Sequence, residues 1–282
     1  MPALAAAATS LMLSLLLPPL TLLSGAVIVL VTLEKGVREG VNTTVAAALA
    51  AGLLGAIVFG NFVLPALYGL ATWSPPLMAA ILFRLGGASL TLALEGLALL
   101  TALLVASVYL VVEDPAAVWQ QLLMAQGERL SGQIAIDPAQ LEPLIAKLSR
   151  VMVGLLGAAV VFHFTLTFLL GLALEGWFRR RSLQLLFARL KPHRLLALAT
   201  LLLGGLGFAG SPLAVNLALP LLALFFTVGL ISLHLVLRAK RRLWLWLFYF
   251  ALLFVPHLAV PVTVVGLLDP WIDLKSRISG ST

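Results

Sequence analysis

Apolar residues fill this chain in long stretches such as Asn216–Leu237 and Leu243–Leu268, and short clusters of arginine and lysine separate them. A helix rises about 1.5 Å per residue and the hydrocarbon layer of a membrane is about 30 Å thick, so roughly 20 apolar residues are enough to cross it. The pattern therefore predicts an all-α, polytopic transmembrane helix bundle. Read along the chain, spans are expected at Ala3–Leu17, Leu20–Leu33, Asn42–Phe59, Asn61–Phe83, Ala88–Val112, Val151–Trp177, Leu195–Ala209, Asn216–Leu237 and Leu243–Leu268. The first two, separated by Pro18-Pro19, are short and suit a tilted hairpin with local bilayer thinning. Pro75 and Pro76 each remove a backbone donor and are expected to bend the fourth span. Gly52, Ala56 and Gly60, spaced four apart, form a small-residue face on which another helix can approach closely.

One long stretch falls outside the spans, from Glu113 to Arg150. Val118, Leu122 and Leu123 recur there at helical spacing. Asp137-Pro138 reads as an N-cap with proline at the first helical position, followed by Leu141, Leu144, Ile145 and Leu148. Two amphipathic helices on the membrane surface or over the bundle are expected. The whole chain thus reads as a single integral membrane domain, with N-terminal spans over 1–112, a helical loop over 113–150, C-terminal spans over 151–268 and a polar tail over 269–282.

Charge orients the bundle. Clusters at 35–38, 84, 179–194 and 238–242 hold 13 of the 18 basic residues and fall on one side of the alternating spans. The loop 113–150 instead carries five acidic residues (Glu113, Asp114, Glu128, Asp137, Glu142) against Arg129, Lys147 and Arg150. Positive residues are retained on the cytoplasmic side, so the N-terminus is expected inside and the loop outside. Leu243–Leu268 is ambiguous. A single crossing makes nine spans with the tail outside, whereas folding back at Pro256 and Pro261 makes eight and keeps Lys275 and Arg277 inside. Trp244, Trp246 and Tyr249 near its start form an interfacial belt.

Composition closes off other classes. With 62% hydrophobic and 10% charged residues and a mean hydropathy of +1.12, the chain lacks the roughly 25% charged residues of a soluble domain. The net charge of +7 sits in loops between spans, so it marks topology rather than nucleic-acid binding. Without cysteine there is no disulfide, zinc-thiolate site or thiol nucleophile. Met1-Pro2-Ala3-Leu4 offers no basic region before its apolar run, which reads as a first span rather than a cleaved signal. No nucleophile elbow, phosphate loop or zinc motif occurs, so neither an enzyme nor a cofactor is expected. Gly204-Gly205-Leu206-Gly207 lies within a hydrophobic span and suits close helix packing.

Few residues can carry chemistry at membrane depth. Glu95 lies in an apolar run, where a carboxylate costs several kcal/mol unless paired or protonated. It is expected either to contact a ligand or proton, or to bond a neighbouring helix. Arg84, across Gly86-Gly87, is its candidate partner. His163, His234 and His257 sit on apolar segments without the spacing of a metal site, and each reads as a satisfied core histidine. Asn61 and Asn216 are expected to hydrogen-bond between helices, and Glu175 to pair with Arg179. Asp269, Trp271 and Asp273 follow the last apolar run, where Pro270 is expected to break the helix. Together they form a membrane-boundary lock or a partner-docking site. The arginine clusters also suit anionic lipid head groups.

The C-terminal residues Ser232-Leu233-His234-Leu235-Val236, Tyr249 and Gly266-Leu267-Leu268-Asp269-Pro270-Trp271-Ile272-Asp273-Leu274-Lys275 resemble the YybS-like family of bacterial membrane proteins. Lys35-Gly36 with Glu39-Gly40, and Gln184 with Pro192, agree with it more loosely. Before that glutamine the family shows Asn and Leu-Ala-Arg, where this chain has Glu175 and Phe178-Arg179-Arg180-Arg181. The resemblance implies the bacterial cytoplasmic membrane. It also implies a fold like that of the substrate-binding subunits of energy-coupling-factor transporters, whose first helix docks on a coupling protein through alanines four apart. Ala3 and Ala7 match that spacing. The implied function is a small-molecule-binding subunit of an uptake system, with the bilayer, a membrane coupling protein and a small-molecule ligand as partners. A non-transporting scaffold or regulator of envelope assembly is the alternative.

Overall fold

The computed structural model describes residues 20–131, 138–179, 182–240 and 242–272. The expected first span with Ala3 and Ala7, the cap Asp137, and Asp273 lie outside the described residues. Among the described residues there are helices and no strands: α1 (Leu20–Lys35), α2 (Val37–Phe59), α3 (Val63–Leu85), α4 (Leu90–Val111), α5 (Pro115–Ser131), α6 (Pro138–Arg179), α7 (Leu183–Ala188), α8 (Arg194–Phe208), α9 (Pro212–Lys240), α10 (Arg242–Phe254), a 3₁₀ turn (Pro256–Leu258) and α11 (Ala259–Ile272). Five helices (α2, α3, α4, α6 and α9) are long and apolar enough to cross a membrane, and α10 with the segment after it makes a sixth if that bent pair is one span. This is the make-up of a multi-pass membrane protein.

Helices stop where the chain supplies a conformational break. Gly60 ends α2 in the left-handed region at φ 67°, and Gly87 at φ 62° turns the chain between α3 and α4. Ser89 and Ser211 then accept from Leu92 N and Ala214 N at the starts of α4 and α9. By contrast, Pro75-Pro76 lies inside α3, which stays helical through both prolines.

Helix α9 is the hub, with 61% of its apolar window buried and α4, α6, α8, α10 and α11 packed around it. The main core joins Val29 and Leu33 of α1, Phe83 of α3, Leu94 and Leu97 of α4, Phe168 and Leu172 of α6, and Leu224 and Val228 of α9. A second cluster unites α1, α2 and α3 around the fully buried Trp73. Its indole N–H donates to Ser24 Oγ at 3.1 Å, which removes the cost of burying that donor.

Two expectations are corrected here. The packed face of α2 includes Ala47, Ala48, Ala51, Gly52 and Gly55, so of the expected Gly52, Ala56 and Gly60 only Gly52 is packed. Ala56 is exposed and Gly60 is spent on the turn. The second loop helix is not separate, because α6 runs 42 residues from Pro138 straight into the membrane-length segment. At about 1.5 Å per residue this helix is about twice as long as the hydrocarbon layer, and α5 packs along it.

The last apolar run is not one straight helix either. Its axis turns by 114° at Val255-Pro256. Tyr249 of α10 lies beside His234 of α9, and Asp269 of α11 lies beside Ser232, so the chain leaves the C-terminal end of α9 and comes back to it. The return rests on two glycines. A Cβ on Gly229 would strike Val262 O, and one on Gly266 would strike Phe225 O, so the α9 and α11 backbones touch where they cross. Gly204 and Gly205, expected to pack closely, meet nothing within 4 Å, and only Gly207 of that group presses on a neighbour, Val215.

Candidate functional site

One end of the bundle gathers the C-terminal ends of α1, α3, α6 and α9 and the starts of α4 and α8, and with them most of the described basic residues. Its polar contacts are specific. Thr91 and Glu95, four apart and so on one face of α4, hold the extended segment 190–193 that precedes α8. Lys191 N donates to Thr91 Oγ1 at 3.0 Å, and His193 N to Glu95 Oε1 at 2.7 Å, while Pro192 between them has no donor. Glu95 Oε2 lies 2.6 Å from His193 Nδ1. The carboxylate is buried, with 8% of its side chain exposed, whereas the imidazole is 70% exposed. His193 is the N-cap residue of α8, so the carboxylate also sits at the positive end of that helix.

The expected Glu95–Arg84 pair is replaced by this arrangement. Arg84 Nη1 donates to Thr32 O at 3.1 Å and Leu33 O at 2.7 Å, capping the C-terminal end of α1 with a cation. His193 was not singled out by the sequence. Its one signal is position, after Pro192 and at the start of an apolar helix.

Arg179 ties α6 to α1 through a two-pronged bond to Glu34, at 2.7 Å from Nε and 3.0 Å from Nη2. It also reaches Glu175 at 3.3 Å, the pairing expected from the sequence. Beside these residues a half-open pocket of about 720 Å³ lies between the ends of α1, α3 and α6 and the short helix α7. Arg84, Arg179, Arg189, Ser182 and Glu175 supply its polar lining, and Leu33, Phe83, Leu172, Leu183 and Leu186 its apolar wall. A smaller pocket of about 370 Å³ lies across α7, lined by Trp177, Gln184, His234 and Arg238 among others.

Several positions singled out near the C-terminus meet around α9. With its amide oxygen facing Arg238, Gln184 accepts from Nη1 at 2.9 Å. His234 Nδ1 and Tyr249 Oη are 3.0 Å apart. Ser232 Oγ lies 2.9 Å from Val228 O and 3.3 Å from Asp269 Oδ1. Asp269 therefore sits inside the α9–α11 interface, 1% exposed. Pro270 does not break the helix, which continues to Ile272, and Arg194 Nε donates to Pro270 O at 3.1 Å. Trp271 is 40% exposed.

The remaining candidates do not converge. His163 is half-buried, 3.5 Å from Thr21 Oγ1. His257 is exposed on the 3₁₀ turn instead of lying in the core, because the bend carries it outward. Among the described residues no group of histidines and carboxylates is arranged to hold a metal. Asn61 is an exposed cap that accepts from Leu64 N at 3.0 Å, not a link between helices. Asn216 is such a link: fully buried, it accepts from Gly154 N at 2.6 Å and donates to Arg150 O at 2.7 Å, so its amide engages both members of one i, i+4 pair of α6.

Comparison with models of known families, with curated proteins and with solved structures gives no match.

Proposed function

We propose that the protein is a small-molecule-binding membrane protein whose ligand site is the pocket between α1, α3, α6 and α7, and that it serves as the membrane subunit of an uptake system. The observation that carries this reading is the pocket itself. Its volume of about 720 Å³ falls in the range of small-molecule sites, and charged and hydroxyl groups converge over an apolar wall. The family resemblance of the C-terminal residues supports the uptake role. Native mass spectrometry of protein purified in mild detergent is expected to show a small molecule of constant mass retained on the chain. Repeated recovery of bare protein would favour the scaffold role instead.

The topology that belongs to this reading places the basic end in the cytoplasm of a bacterium and α5 outside. It has eight spans, with α10 and α11 as a re-entrant pair that returns the tail to the inner side. The excess of basic residues at one end and of acidic residues in 113–150 supports it. Because the chain has no cysteine, Gln126→Cys on α5 introduces a unique thiol. A membrane-impermeant maleimide is expected to label it in intact cells. Labelling only after the cytoplasmic side is opened would reverse the topology.

A further inference from the structure

The pocket at the basic end also indicates the chemistry of its occupant, an inference that rests on the proposed binding role. Its three guanidinium groups are not equivalent. Arg84 is turned onto the carbonyls of Thr32 and Leu33, and Arg179 is held by Glu34 and Glu175. Arg189, exposed at the C-terminal end of α7, enters no ion pair or side-chain hydrogen bond with any described residue. Among the described residues, three positive groups and the carboxylate of Glu175 line the pocket, and Glu34 engages Arg179 from outside the lining, so positive charge is in excess there. Ser182 stands near the same rim. Its Oγ accepts from Gln184 N at 3.3 Å, so its O–H proton remains available to donate.

A small inorganic anion does not account for the rest of the cavity. A water molecule takes about 30 Å³, so the space of about 720 Å³ is many times what a bare phosphate or carboxylate fills. Much of its wall is apolar, with Leu33, Phe83 and Leu172 buried beneath and Leu183 and Leu186 of α7 alongside. We propose that the ligand is an anionic amphiphile, a phosphate- or carboxylate-headed molecule with a hydrocarbon portion. Its head group bonds Arg189 and Ser182, and its apolar part lies against the partly exposed Leu183 and Leu186 of α7. Guanidinium is suited to this task because its fork of donors matches the oxygens of either head group.

The test uses the full chain in nanodiscs of neutral lipid, with binding of decyl phosphate, decanol and inorganic phosphate measured side by side. Decyl phosphate is expected to bind at least about tenfold more tightly than either of the others, and Arg189→Gln to weaken it by about tenfold, the equivalent of about 1.4 kcal/mol. Arg189→Lys should keep part of the affinity, and Arg38→Gln, which removes an equal charge from exposed α2, should leave it unchanged. Equal binding of decanol would overturn the role of the head group, and equal binding of inorganic phosphate that of the tail. If Arg38→Gln weakens binding as much as Arg189→Gln, the assignment to Arg189 fails. Competition by anionic phospholipid added to the nanodisc would make the bilayer the source of the ligand, and its failure would make the ligand a free solute; both support the amphiphile. A retained molecule of other chemistry in native mass spectrometry, with no binding of decyl phosphate, would sink the amphiphile and keep the pocket. Bare protein that binds none of the probes would sink both.

Discussion

Replacing Gly266 with leucine is expected to destabilise the protein by about 3 kcal/mol or more. At the α9–α11 crossing the nearest atoms to a new side chain are backbone atoms, Phe225 O and Gly229 N, which cannot rotate away. The helices would have to separate. Overpacking of a tight contact costs about 1–3 kcal/mol, and separation also strains the Ser232–Asp269 and Arg194–Pro270 bonds, each worth about 1 kcal/mol. Gly229→Val should behave alike, since its Cβ would meet Val262 O. Gly204→Ala on α8 is the counter-case. Open space surrounds it, and alanine is favoured over glycine within a helix by about 1 kcal/mol, so stability should hold or rise. Thermal unfolding in detergent decides both. A Gly266→Leu protein as stable as the wild type would show that α11 does not sit against α9 as described.

The second large effect concerns Glu95. Glu95→Leu removes the acceptor for His193 N–H and leaves that segment held to α4 by the Thr91–Lys191 bond. A hydrogen bond to a charged group is worth about 1.5–3 kcal/mol, whereas the contact to the exposed imidazole adds little because solvent screens it. A loss of about 2 kcal/mol is expected, with less for Glu95→Gln, which keeps one carbonyl oxygen. Double-substitution cycles distinguish the partners. Glu95→Gln and Arg84→Gln should add, because Arg84 is bonded to Thr32 and Leu33 instead. Glu95→Gln and His193→Ala should couple only weakly, by up to about 0.5 kcal/mol, because the backbone bond to His193 N survives His193→Ala and only the exposed imidazole contact is lost. Strong coupling to Arg84 would invert this account.

Much of the architecture is legible in the chain. Helix α4 starts and ends within two residues of the apolar run Ala88–Val112, and α8 within one residue of Leu195–Ala209. Hydrophobic length and glycine or serine at the turns are local properties, so the sequence alone is enough to locate such helices. Polarity is a weaker guide to where a helix stops. Charged residues near Arg150 suggest a boundary in the sequence, but α6 passes through them, and through Pro143 and Gly154, without interruption.

The candidate site was far less legible. Glu95 stands out because a carboxylate in an apolar run demands a partner, yet the sequence points to Arg84, eleven residues away, and the structure supplies His193, ninety-eight residues away. Asn216 and the Glu175–Arg179 pair were anticipated from the sequence; the pocket was not, since its lining comes from four helices and the turns between them.

The sequence by itself determined that the chain is helical, that several helices are long and apolar enough for a membrane, and which end is basic. Those follow from composition and from spacing along one segment. Only the tertiary structure decided which face of α2 packs, that the last apolar run turns back on α9, what Glu95 holds, and which arginine is left uncommitted at the pocket. In lipid nearly every position on a span is apolar, so sequence periodicity does not distinguish the packed face from the lipid-facing one. That choice is made by backbone approach and by hydrogen bonds between residues far apart in the chain.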